Sequence, residues 1–164
     1  VILDRLVETR APFDPGAAVG EIAATLREFG LGIITGDKYA AQWVIREFKK
    51  HGVSYMHATR DRSAIYISAL PLLNAGKAQL LDSPRLVGQL CGLQRRTSSS
   101  GKQSVDHPRN SADDLANSAC GALVLASDMA QQRMNFVPPI VFSRPRAVMF
   151  EGAYGPIPDF SSHG

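Results

Sequence analysis

Cysteine is scarce in this chain. There are two in 164 residues, Cys91 and Cys120, far apart and outside any CxxC spacing. That argues against a disulfide scaffold or a redox motif, and their small apolar neighbours predict buried, reduced thiols. No run approaches the roughly 20 apolar residues that span a bilayer. No stretch has the charged start and apolar middle of a signal peptide. The histidines His51, His57, His107 and His163 form no HxxxH or similar pair, so a zinc constellation is not legible. There is no GxxxxGK[ST] phosphate loop and no GxSxG, and Gly30-Leu-Gly32 lacks the third glycine of a dinucleotide fingerprint. Neither sign of charge dominates: 18 basic against 15 acidic side chains leave +3. That excess permits a polyanionic partner without demanding one.

What is present is an ordinary globular balance, 45% hydrophobic and 20% charged, long enough for one domain with a core. Val1–Arg10 reads as a strand. Asp14-Pro15 reads as a helix start, a capping side chain followed by Pro in the first turn. Val19, Ile22, Ala23, Leu26 and Phe29 follow at helical spacing up to Gly30. Leu31–Thr35 has no polar alternation and predicts a buried parallel strand. Tyr39–His51 predicts a helix and Val53–Met56 a strand. Arg62–Asn74 predicts a helix kinked at Pro71, and 78–81 a short extended segment. Ser83-Pro84 opens a helix to about Gly92. Thr97–Lys102 is a Ser/Gly loop flanked by Arg95, Arg96 and Lys102, and 103–106 is extended. A last helix follows Asp113-Asp114. From Asn135 on, prolines 138, 139, 145, 156 and 158 predict an irregular tail. Strand and helix alternate, the pattern of an α/β fold.

In such folds ligands gather at the carboxyl ends of the strands. Asp37 stands at one of these ends and is either a metal ligand or a turn residue. Asp113 and Asp114 open a helix, where one cap and one solvated acid would suffice. The alternative is a convergence of Asp37, Asp113 and Asp114 on Mg²⁺ or Mn²⁺, with Asn117 one turn further on as a weak ligand. Asp106-His107 can be a ligand or a base, but Pro108 after it favours a surface pair in a loop. Arg95, Arg96 and Lys102, in a mobile loop next to the acidic helix, suit binding of phosphates.

The motifs TGDKYAAQW (Thr35–Trp43), REFKKHGVSY (Arg46–Tyr55), LPLLNAGKAQLLDSPRLVGQLCGLQRRT (Leu70–Thr97) and SVDHPRNSADDLANSACGALVLAS (Ser104–Ser127), in this order, resemble the nuclease domain of phage and prophage terminase large subunits. The resemblance covers roughly Val1 to Ser127. It implies an α/β, RNase H-like nuclease fold over residues 1–130, with first strands missing, and a Pro-rich tail over 131–164. It implies a DNA endonuclease that cuts concatemeric DNA with two divalent metals during packaging in the bacterial cytoplasm. Asp37 and Asp113 match its catalytic acids, with Asp114 and Asn117 as further ligands. Double-stranded DNA, the terminase small subunit and the portal protein are the implied partners, and no membrane is involved. The sequence departs from the family in three ways. The family's first catalytic Asp, on its central strand, has no counterpart; the ATPase domain is absent; and Asn110-Ser111-Ala112 stands where Gly-Gly-His is common. Weak or absent cutting by this chain alone is therefore expected. The other readings are an inactive prophage remnant that binds DNA or a packaging partner, and an unrelated small α/β nucleotide-binding protein.

Overall fold

Asp14 begins the first helix as its chemistry dictates: its Oδ1 accepts a hydrogen bond from the Ala17 N–H at 2.6 Å, and Pro15 follows in the first turn. A computed structural model describes residues 1–37, 40–101, 103–109 and 111–135. Helix α1 (Pro15–Glu28) is followed by strand β1 (Ile33–Gly36), helix α2 (Gln42–Lys50) and strand β2 (Ser54–His57). The strands pair in parallel, Ile33 with Ser54 and Gly36 with His57, as the crossover through α2 requires. Val19, Ala23, Phe48 and Val53 are the buried centre of this layer, and Ile34 and Tyr55 pack on them from the sheet. The expected burial of β1 is not reached: its inward-facing Ile34 is only half-buried. Ile33 is 61% exposed and Met56 55%, because the helices cover the Ile34–Tyr55 face of this two-stranded sheet.

The second layer is helical. Helix α3 (Arg62–Asn74), which contains Pro71, is capped by Asp61, whose Oδ1 accepts from the Ala64 N–H at 2.8 Å. Helix α4 (Pro84–Gly92) is capped by Ser83. The chain then forms an antiparallel hairpin of β3 (Gln94–Thr97) and β4 (Gln103–Asp106), followed by helix α5 (Asp114–Asn135). Small side chains line the inner face of α5. Ala116, Ala119, Cys120, Leu123 and Val124 are buried at helical spacing, which lets α3 approach with Tyr66 and Ala69 and α4 with Leu86. None of the helices is long and apolar enough to cross a membrane among the described residues.

Three sequence expectations change here. Val1–Arg10 is not a strand: it makes an isolated parallel bridge, Ile2 with Gln79, with the Leu3 N–H bonded to the Gln79 carbonyl at 2.9 Å. A strand needs a partner along its length. Past Leu3 the charged side chains pair instead, as Glu8 does with Arg85 at 2.6 Å. Arg95 and Arg96 belong to a strand and not to the loop, whose tip is 98–101; Lys102 lies outside the described residues. Cys120 is buried as expected, but Cys91 is exposed. The tail beyond Asn135 also lies outside the described residues.

Candidate metal centre

The site is built where β4 meets the starts of α3 and α5. Ser63 Oγ fixes the register of this junction. It accepts from the Val105 N–H at 3.1 Å and donates to the Val105 carbonyl at 3.0 Å. With Ser63 locked to Val105, their neighbours Arg62 and Asp106 are brought together, Nη2 to Oδ1, at 3.0 Å. Asp113 comes from the other side. Its carbonyl accepts the first helical bond of α5, from the Asn117 N–H at 2.7 Å, so Asp113 stands at the cap position.

Its carboxylate does not have to cap the helix. The Ala116 N–H, which a capping Asp would normally bind, donates instead to Gln89 Oε1 of α4 at 3.0 Å. The Asp113 carboxylate, 6% exposed, is turned towards α3. Tyr66 Oη donates to Oδ2 at 2.8 Å, and Arg62 Nη1 lies 3.4 Å from both oxygens. Burial, and then the bond to Asp113, push the Tyr66 phenol far above its usual range. It is a permanent donor at any ordinary pH.

His107 completes the group. Its Nδ1 lies 2.8 Å from the Pro108 carbonyl, which can only accept, so the proton sits on Nδ1. Nε2, which offers a lone pair in the neutral ring, lies 3.7 Å from Asp113 Oδ1 and 3.8 Å from Asp106 Oδ1. The ligand atoms of Asp106, His107 and Asp113 all lie within 4.8 Å of one another. Two carboxylate oxygens and an imidazole nitrogen whose far side is held by a carbonyl are a donor set that fits a divalent ion such as Mg²⁺ or Mn²⁺.

Of the residues expected from sequence, Asp113 is in this group. Asp37 and Asp114 are not. Asp37 is exposed at the end of β1, where its carbonyl accepts from Tyr55 Oη at 3.0 Å. Gly36 beside it has no room for a Cβ, which would overlap the Tyr55 phenol. Burial, then the charge of Asp37, raise the pKa of that phenol. Asp114 is exposed in the first turn of α5, where a carboxylate complements the helix dipole. Asn117 Oδ1 is buried, with no hydrogen-bond partner among the described residues. Arg95 and Arg96 are exposed on β3, with Arg95 bonded to Gln103 and Arg96 Nη2 donating to Gln94 Oε1 at 3.1 Å. Sequence reasoning took Asp106 and His107 for a surface pair, and gave Arg62 and Tyr66 no part in the site. The one signal for them was a helix presenting Arg62 and Tyr66 one turn apart.

No family model and no curated protein matches the chain. Solved structures do. The large terminase nuclease of the thermophilic phage G20c superposes with a TM-score of 0.55 at 19% identity, over 65% of this chain and 60% of that one. It has also been solved with bound cobalt and with bound magnesium. The large terminase nuclease domain of Thermus phage P74-26 gives 0.56 at 17% identity, over 67% of this chain and 59% of that one. The large terminase of bacteriophage HK97 gives 0.50 at 16%, over 66% and 25%. The chain thus spans about three-fifths of the isolated nucleases it matches. Its mixed α/β architecture is the RNase H-like fold of the large terminase nuclease domains.

Proposed function

We propose that this chain is a segment of a metal-dependent DNA endonuclease of the terminase large-subunit kind, which cuts concatemeric phage or prophage DNA during packaging. The observation that carries this reading is the donor set Asp106, His107 and Asp113 within a terminase-nuclease fold. Asp113 is the central ligand and the first catalytic acid. Asp106 and His107 share its metal. Asp37 as second catalytic acid, Asp114 and Asn117 are the ligands for a second ion. Two such ions, about 3.5–4 Å apart, activate water and stabilise the leaving oxygen of a phosphodiester. Arg95, Arg96 and Lys102 hold the phosphates of double-stranded DNA. The terminase small subunit and the portal protein are the partners, in the host cytoplasm.

A second reading, a remnant that binds DNA without cutting it, is favoured by Arg62, whose guanidinium already pairs with both carboxylates. Calorimetry with Mn²⁺ and plasmid nicking, on the wild-type chain and on Asp113→Asn, decide between them. The nuclease reading expects Mn²⁺ binding that the substitution removes, together with whatever nicking the chain shows. It is overturned if wild type does not bind Mn²⁺, or if nicking survives in Asp113→Asn. DNA retained on a filter by a chain that binds no Mn²⁺ gives the second reading.

A further inference from the structure

We propose that Arg62 is the resident counter-ion of the acidic group, and that it sets the group's metal affinity because a divalent ion must displace it. The proposal rests on the nuclease reading above. The guanidinium touches both carboxylate ligands at once, Asp106 at 3.0 Å and Asp113 at 3.4 Å. Asp113 is almost out of water, and a buried carboxylate left without a cation is strongly disfavoured. A cation is therefore always needed there, and Arg62 supplies it from within the chain. No other group brings a permanent charge this close: Tyr66 Oη is a neutral donor at 2.8 Å, and His107 Nε2 stands farther off than the guanidinium, 3.7 Å from Asp113 and 3.8 Å from Asp106.

The geometry also provides the exchange. The backbone of Arg62 is fixed, because it opens α3 next to the Asp61 cap and precedes Ser63, which is locked to Val105. Its side chain is different: it is long and 42% exposed, with water to move into. Metal entry then exchanges one positive charge for two at the same oxygens and leaves the backbone of the site in place. Removing the Arg62 charge should do two opposite things. It should weaken the metal-free fold, and it should strengthen metal binding.

The test uses the full chain with Mn²⁺ as the only added ligand, read by calorimetry and by thermal melting with and without chelator. Arg62→Met keeps the length and removes the charge. It should melt lower than wild type in chelator, regain that loss in Mn²⁺, and bind Mn²⁺ about tenfold more tightly, as expected for losing one competing charge at this distance. Arg62→Gln repeats the comparison with a neutral group that can still hydrogen-bond, in case Met perturbs folding, and Arg62→Lys should stay close to wild type. Wild-type Mn²⁺ binding that stays unchanged or weakens in both neutral variants overturns the proposal and leaves the nuclease reading standing. Absence of Mn²⁺ binding in wild type and variants alike overturns both.

Discussion

At the residue scale, Tyr66 and Cys120 are the two side chains whose environment changes their chemistry most. Tyr66 is 4% exposed, and its hydroxyl serves a buried carboxylate. Removing that hydroxyl in Tyr66→Phe leaves Asp113 Oδ2 with only the longer Arg62 contact and should cost about 1.5–3 kcal/mol, the range for hydrogen bonds to charged groups. The urea midpoint checks this, and an unchanged midpoint would mean the bond contributes nothing. Burial pushes the Cys120 thiol from its ordinary 9.0 up to about 11. The folded state therefore holds a proton that the unfolded chain releases. The stability this confers is complete below pH 9 and is lost as pH rises through 11. Tyr66 acts in the same direction from its own ordinary pKa of 10 upward. Unfolding midpoints should fall across that alkaline range, and less steeply in Cys120→Ala. With a thiol reagent at pH 8, Cys91 should react in the native protein and Cys120 only after denaturation.

At the element scale, two helix starts, a glutamine from α4 and the register of β4 make the site. Gln89 of α4 takes over the capping of α5 and so releases the Asp113 carboxylate. Gln89→Leu should reverse this. The freed Ala116 N–H recruits Asp113 as its own cap, at a net cost of roughly 1 kcal/mol in stability. Mn²⁺ affinity should fall more than in Ser118→Ala, an exposed position on the same helix. Equal affinities in the two variants would show that Gln89 does not position Asp113. Ser63 does for β4 what Gln89 does for α5, because both polar groups of Val105 depend on its one hydroxyl. Pro71 sits inside α3 without ending it, since the helix continues to Asn74 against the buried face of α5. Tertiary packing here overrides a residue that would break an isolated helix.

At the scale of the whole molecule, charge is arranged by the fold. The hairpin lifts Arg95 and Arg96 into solvent on a strand, while β4 of the same hairpin ends in Asp106. Basic and acidic functions thus share one supersecondary unit. If the hairpin holds DNA, replacing Arg95 and Arg96 together by Ala should weaken binding of duplex DNA. It should also flatten the slope of log affinity against log salt by about 1 for each phosphate no longer neutralised. Filter binding at several salt concentrations reads both, and an unaltered slope removes the hairpin from the DNA surface. Packing divides the chain differently from charge. One buried cluster centres on Val19, Ala23, Phe48 and Val53, and two further clusters join α3, α4 and α5. Leu86, fully buried in the helical layer, should cost about 2–5 kcal/mol when cut to Ala.

Much of this was written locally. Asp14-Pro15, Asp61-Arg62 and Ser83-Pro84 start helices because the capping side chains, and at Pro15 and Pro84 the missing N–H, satisfy the first turn without help from elsewhere. The apolar run before Asp37 and the alternation with helices foretold a parallel pair. The motif order pointed to the terminase nuclease fold that the solved structures share. Other features depended on partners distant in sequence. Val1–Arg10 has strand-like composition, yet it bridges at a single residue because its first residues meet backbone only at Lys77 and Gln79 among the described residues. Arg95 and Arg96 flank a Ser/Gly segment and read as loop, but pairing with 103–106 makes them strand. Above all, Asp113 is legible both as a helix cap and as a metal-binding acid, and Asp106-His107 reads as a surface pair, until Gln89, Tyr66 and Ser63 arrive from other helices. A side chain's spacing along the chain fixes which face of its own element it occupies. Which atoms meet that face depends on how elements far apart in sequence pack, and that is why the donor set became visible only in three dimensions.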